Sequence, residues 1–342
     1  MKDKPTLKQL MEITQLSRAT IDRALNNRPG VHPRTRSAVD AAIRQLHERA
    51  ESPRQPARAR HVAYRIRLLA QAGDAFTDEL TRAAQSLETE LADSGVQLEV
   101  VSCVGISDSE VAERVRELSA DVDGIGIICT NTPATVAALR DCVAAGKAVV
   151  TLITDVDADA RHTYVGVNNR AAGQAAAFLV GRHLETRPSP SVAVVVATFS
   201  YTCHEDREIG FRSLLRQRFP HVNLLEVIKG ADSGAATYEA TRRFMEQHGP
   251  LDGIYNVAGG NEGLAAALRE KHLAGKTLYV THEVNRVTEP LLRSDVIDYL
   301  LTQDLKLLLK TAVENLTAVS DGLQAPAQAI IPIETYSRYS LY

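Results

Sequence analysis

Ser17, Thr20, Arg23 and Asn26 follow one another at three-residue intervals in the stretch SRATIDRALNN. Wound into a helix, that spacing puts hydroxyl, guanidinium and amide donors on adjoining turns. Such donors suit the phosphates of duplex DNA, contacts that set register without reading sequence. Arg18 and Ala19 stand at the start of the same segment. A helix laid in the major groove reads bases with the side chains near its N-terminus. There the forked donors of Arg18 match guanine, and Ala19 offers a methyl to thymine or no contact. Thr35 adds one more phosphate donor further along.

Three helices would carry these groups. Leu7, Leu10, Met11 and Ile13 fit one face of a first helix, with Thr6 as its N-cap. A tight turn at residues 14–16 follows, and Ser17 caps a second helix that buries Ile21, Ala24 and Leu25. NNRPG ends it, since Pro29 lacks a donor and Gly30 tolerates unusual backbone angles. Residues 35–46 then place Ala38, Ala42, Ile43 and Leu46 at core spacing. Two helices joined by so short a turn form a helix-turn-helix. Periodicity alone also fits a plain three-helix bundle with solvated arginines.

Charge separates this head from the rest. Residues 1–60 hold 13 Lys/Arg against 6 Asp/Glu, a net of +7 on a chain of 342 residues whose total is -3. A basic head on an acidic body points to a polyanion for the head alone. The stretch HERAESPRQPARARH has little to bury and reads as a linker. From Val62 onward apolar runs such as GIGIICT, AVVTLIT and SVAVVVA alternate with amphipathic helices. Strands apolar on both faces imply parallel sheets covered by helices on both sides. About 280 residues of this pattern exceed one doubly wound unit, so the expectation is an α/β body of two lobes with a ligand crevice at the strand ends. The expected division is 1–48 for the DNA-binding domain, 49–61 for a hinge and 62–342 for the body. Within the body, one lobe spans about 62–163 and 291–322, the other about 164–290 and 323–342.

The head resembles that of the LacI/GalR (lactose-repressor/galactose-repressor) family of bacterial transcription regulators. The match lies in Thr6-Leu7, the run Ser17, Thr20, Arg23, Asn26, then Val31 and Thr35-Arg36. Asp22 departs from the family's usual serine. The resemblance implies an operator-binding head, a homodimer on a pseudo-palindromic site, and a hinge that touches DNA through Arg58 and Arg60. Arg60 stands where the family carries a leucine that wedges into the minor groove, which implies less kinking of the operator. It also implies a body like sugar-binding periplasmic proteins, with a sugar, polyol or sugar acid as effector.

Effector candidates fall at strand ends. They are Asp74 and Phe76 in GDAFT, Thr130 and Asn131 in CTNTP, and Asp155 in TLITDVD. Beyond these come Asn168 in VGVNNRAAG, Arg207 in CHEDREIGF, Asn256 in YNVAGG, Glu283 in THEV and Gln303 in TQD. Carboxylates, amides and guanidinium groups with one aromatic face suit a polyol. Each has a plainer reading: Phe76 as core, Asp155 as a turn cap, Arg207 paired with Glu205 or Asp206, His204 and His282 as ordinary hydrogen-bonded histidines.

No enzyme signature competes. The first strand ends AQAGDAF, without GxGxxG, and neither GxxxxGK[ST] nor GxSxG occurs. Cys103, Cys129, Cys142 and Cys203 are scattered without metal-ligand spacing and read as reduced thiols. No metal or cofactor is expected. No apolar run is long enough to cross a bilayer, and MKDKPTLKQL lacks the apolar stretch of an export signal, so a cytoplasmic regulator, most simply a repressor, is expected. The alternatives are a solute-binding protein or a sugar-active α/β enzyme.

Overall fold

A computed structural model describes Leu16, residues 18–25, Thr35, Val39 and residues 63–341. The chain divides into two units, 1–60 and 61–342. In the first unit, α1 (Arg18–Leu25) is helical, and Thr35 and Val39 are helical too. Ile21 and Val39 are buried and Thr20 and Thr35 half-buried. The side chains of Arg18, Ala19 and Arg23, and Thr6, Ser17, Asn26, Arg58 and Arg60 entirely, lie outside the described residues.

The second unit holds two parallel sheets. The first runs β2 (Val96–Ser102), β1 (Tyr64–Ala70), β3 (Gly124–Ile128), β4 (Ala148–Leu152), β5 (Thr163–Gly166), β12 (Gln328–Ile330). The second runs β7 (Asn223–Leu224), β6 (Ser191–Val196), β9 (Gly253–Asn256), β10 (Leu278–His282), β11 (Tyr299–Thr302), β13 (Glu334–Tyr336), with β8 (Ile228–Lys229) also on β6. Among the described strands only β13 runs antiparallel to its neighbour. Both orders reverse direction at the first strand, and such switch points open crevices at the strands' carboxyl ends.

Helices cover both faces of each sheet. On the first, α2 (Asp74–Asp93) and α10 (Leu305–Ser320) pack one side through Leu80, Leu87, Leu309 and Leu316. The other side takes α3 (Asp108–Ser119) and α4 (Pro133–Ala144), through Val111, Val115 and Leu139. Gly124 lets α10 sit close on β3: a Cβ there would stand 3.0 Å from the Leu316 methyl, which would have to shift by a few tenths of an ångström. Ser107 and Glu110 cap α3 reciprocally, so its start is fixed at the cleft edge. On the second sheet, α5 (Asn169–His183) and α6 (Thr202–Arg218) cover one face. The opposite face takes α7 (Gly234–His248), α8 (Asn261–Glu270) and α9 (Thr288–Arg293).

The lobe limits differ from expectation. β5 lies in the first sheet and the segment through β11 in the second, so the chain crosses at 167–168, again at 303–304, and finally between β12 and β13. Segment 291–302 therefore belongs to the second lobe, and β12 to the first. β5 and β11 are only four residues each and carry no alternation that marks a strand. The apolar run NLLEVI is split between β7 and β8.

Candidate functional site

A cleft of about 740 Å³ opens between the lobes at the strand ends. From the first lobe come Gln71, Asp74, Phe76, Asp108 and Thr130, and from the second Tyr201, His204, Arg207, Asp232, His282 and Glu283. Of the ten residues singled out by sequence, Asp74, Phe76, Thr130, Arg207 and Glu283 line it. Asp74 is exposed in the first turn of α2, and Phe76 is half-buried, packing partly on the core.

The other five have structural duties. Asn131 holds the Asp157 backbone amide at 3.3 Å. Asp155 pairs with Arg161, whose Nε donates at 2.7 Å, and accepts from Thr151 and from the Val156 amide. Asn168 caps α5, accepting from the Ala171 amide at 3.0 Å. Asn256 is fully buried and organises the following loop through Gly259 and Asn261. Gln303 sits at the second crossing, donating to Glu283 at 3.2 Å.

Arg207 is the pivot of the floor. It is 4% exposed, and it pairs with neither Glu205 nor Asp206. Its Nε donates to Asn169 Oδ1 at 2.8 Å and its Nη1 to the Val257 carbonyl at 3.0 Å. Nη2 is buried with no partner among the described residues. Asn169 in turn donates to the carbonyl of Ile153, so the first lobe's β4 end, the start of α5 and α6 are tied together. Glu283 accepts from Thr302 and Gln303, and burial pushes its carboxyl above the usual range although Arg207 opposes this. Burial also pushes His204 down to about 4, against the pull of Asp232, and His282 well below its usual value. Both imidazoles are neutral at pH 7, one on the Thr198 carbonyl and the other on Tyr255.

Ile153 and Glu283 share a left-handed backbone, at φ 66° and 62°. Each follows the fourth strand of its sheet, and each amide bonds the strand beside it, at Val165 and Leu301. For a β-branched isoleucine this conformation is strained, and strain of this kind concentrates at ligand clamps.

Segment 200–203 joins the lobes. Tyr201 donates its hydroxyl to the Gln71 carbonyl at 2.9 Å, Ser200 accepts from the Asn131 amide at 2.7 Å, and Thr202 bonds both backbone groups of Asp155. Arg286 meets Asp78 across the gap at 3.1 Å. Cys103 and Cys203 also line the cleft; all four cysteines are free and buried, and burial pushes Cys103, Cys129, Cys142 and Cys203 above the usual thiol range. Among the described residues no three His, Cys, Asp or Glu side chains gather closely enough to hold a metal ion, and no helix is long and apolar enough to cross a membrane. Sequence reading missed Gln71, Asp108, Asn169, Tyr201 and Asp232. Asp108 and Asp232 sit in loops or helix starts where acids are commonplace, and only the topology brings them to one cleft.

This two-lobed arrangement matches a known family, the periplasmic binding protein domain, over residues 68–324. The chain belongs to that family. Among solved structures, a glucose-galactose binding protein from Geobacillus stearothermophilus is 20% identical, with a TM-score of 0.73 over 82% of this chain and 99% of its own. A transporter solute-binding protein from Burkholderia graminis in complex with D-arabinose is likewise 20% identical, at 0.73 over 83% and 98%. A protein from Bacteroides fragilis described as a LacI transcriptional regulator is 14% identical, at 0.69 over 81% and 97%. No curated protein matches the chain. At these identities the structural neighbours establish the fold. The family whose model matches is one of binding proteins.

Proposed function

We propose that the protein binds a small hydroxylated solute, a sugar or polyol, in the interlobe cleft, and that occupancy controls operator binding by the N-terminal segment. On this reading it is a cytoplasmic LacI-type regulator, a homodimer on a pseudo-palindromic operator, released by its ligand as a repressor. The ligand half rests on one observation: polar and aromatic side chains of both lobes converge on a cleft of about 740 Å³, a size that fits small molecules. D-arabinose and glucose-galactose binding among the structural neighbours supports the ligand class. The DNA half rests on the charge of residues 1–60 and on the motif from Thr6 to Arg36. A ligand shifts DNA binding only by its difference in affinity for the two states.

The test is retardation of DNA from upstream of the protein's own gene, with and without sugars that raise its melting temperature. Retardation at low salt that changes with ligand is expected. Arg18→Ala should cost about 1–3 kcal/mol of operator binding and blur preference at one base pair. An equal loss across all sequences refutes base reading by Arg18. A second reading, a solute-binding protein with no DNA role, is favoured by the transporter proteins among the neighbours. It predicts ligand binding with no retardation at any salt.

A further inference from the structure

Two carboxylates reach the cleft from opposite lobes. Asp108 begins α3 in the first lobe, and Asp232 follows β8 in the second. Each is anchored through one oxygen. Asp108 Oδ1 accepts from Gln71 Nε2 at 2.9 Å and Thr130 Oγ1 at 2.7 Å, and Asp232 Oδ1 from the Gly259 amide at 2.6 Å. In both, Oδ2 takes no hydrogen bond from the described residues. Both share the cleft with the Tyr201 phenol, whose pKa burial pushes up, with Asp232 and Asp108 adding to the rise.

The charge balance of the cleft is acidic. Asp74, Glu262 and Glu283 line it as well, while the guanidinium groups lining it are Arg207 and Arg286. Arg286 is paired with Asp78. Arg207 is held by Asn169 and Val257, which leaves one buried donor, Nη2, with no partner among the described residues. An anionic ligand would set a second negative charge against fixed carboxylates in a partly desolvated space, where like charges repel strongly. A hydroxyl instead donates to a carboxylate in a charge-assisted bond. A neutral ring or chain oxygen satisfies the guanidinium donor.

We propose that Asp108 and Asp232 hold the hydroxyls of an uncharged sugar or polyol from opposite lobes, and that the cleft rejects sugar acids and sugar phosphates. This rests on the solute-binding half of the proposed function and goes further by fixing the ligand's charge and two of its contacts.

The experiment is a thermal-shift screen of the full chain, followed by calorimetric titration. The panel holds neutral sugars and polyols, their amino analogues, and the matching uronic, aldonic and phosphorylated forms. The best neutral hit should bind at least about tenfold more tightly than its acid or phosphate counterpart. Asp108→Asn and Asp232→Asn keep Oδ1 as acceptor, so their unliganded melting temperatures should stay near that of the native chain. Each should weaken the neutral hit about tenfold and narrow its advantage over the acid. An acid or phosphate that binds more tightly than its neutral form overturns the proposal and leaves the binding cleft standing. So does a hit whose affinity neither variant changes, or an amino analogue preferred over every neutral compound. A panel without any hit overturns the proposal and the solute-binding reading together.

Discussion

Arg207 and Glu283 set opposite demands on the floor of the cleft. Removing the guanidinium strands two acceptors, Asn169 Oδ1 and the Val257 carbonyl. Arg207→Met should therefore lower stability by about 1–3 kcal/mol for each acceptor left bare, read as an earlier urea midpoint at unchanged slope. The titrating groups give a signed pH profile. Burial holds His204 at about 4 and His282 lower than its usual 6.5, so both are neutral when folded and take up protons on unfolding. Their contribution is complete above pH 6.5 and is lost as pH falls below it. Unfolding free energy should drop between pH 6.5 and about 4 through His204, on the order of 1 kcal/mol per pH unit, and His282 adds in the same direction. Glu283 runs the other way. Its carboxyl is raised by burial, so the ionised form is penalised in the native state, and its contribution declines as pH rises from its ordinary 4.5 through the native value. Glu283→Gln should be more stable than the native chain at pH 7, with the gain vanishing toward pH 4.5. Equal denaturation curves for the two proteins at pH 7 would refute that penalty.

Helix pairs beneath the cleft pack through glycine. A Cβ on Gly173 would stand 2.0 Å from the Arg207 carbonyl oxygen, and one on Gly210 would stand 2.1 Å from that of Arg170. Neither backbone can yield without parting α5 from α6. Gly173→Ala should cost about 3 kcal/mol and displace Arg207, so melting temperature and ligand affinity fall together. Gly263→Ala meets the Gly234 carbonyl in the same way on the far side of the sheet, and should lower melting temperature while moving affinity less. Much of this architecture was legible beforehand: β3, β4 and β6 are buried on both faces almost throughout and spell it out in the mainly apolar runs GIGII, AVVTL and SVAVVV. Four-residue β5 and β11 were not, because TYVG and YLLT fit a loop or a helix equally well. At the site, residue type pointed to Arg207 and Glu283. It also pointed to Asn168 and Asp155, whose side chains serve a helix cap and an ion pair. A carboxylate or amide in a loop has the same letter whether it serves a ligand or the backbone beside it. Asp108 and Tyr201, 93 residues apart in number, come to line one cleft only through the crossing of the lobes.

At the scale of the body, the lobes meet through bonds of unequal worth. The Tyr201 hydroxyl reaches the Gln71 carbonyl from a half-buried position, whereas Arg286 and Asp78 are both more than half exposed. Tyr201→Phe removes a bond worth about 1 kcal/mol and should loosen closure, seen as a larger radius of gyration by small-angle scattering and about fivefold weaker ligand binding. Asp78→Asn removes a solvated pair worth at most about 1 kcal/mol, and its smaller effect should disappear in high salt. If Asp78→Asn proves the more damaging of the two, segment 200–203 is not the principal tie. The threefold crossing of the chain has a further consequence. α10 supplies Leu308, Leu309, Ala312 and Leu316 to the first lobe, yet it is reached only after the whole second lobe has been traversed. On a ribosome, the basic head emerges while the first lobe of the body still lacks one wall of its interior. A nascent chain halted before residue 305 therefore exposes that interior and offers chaperones and proteases a target that the finished molecule hides.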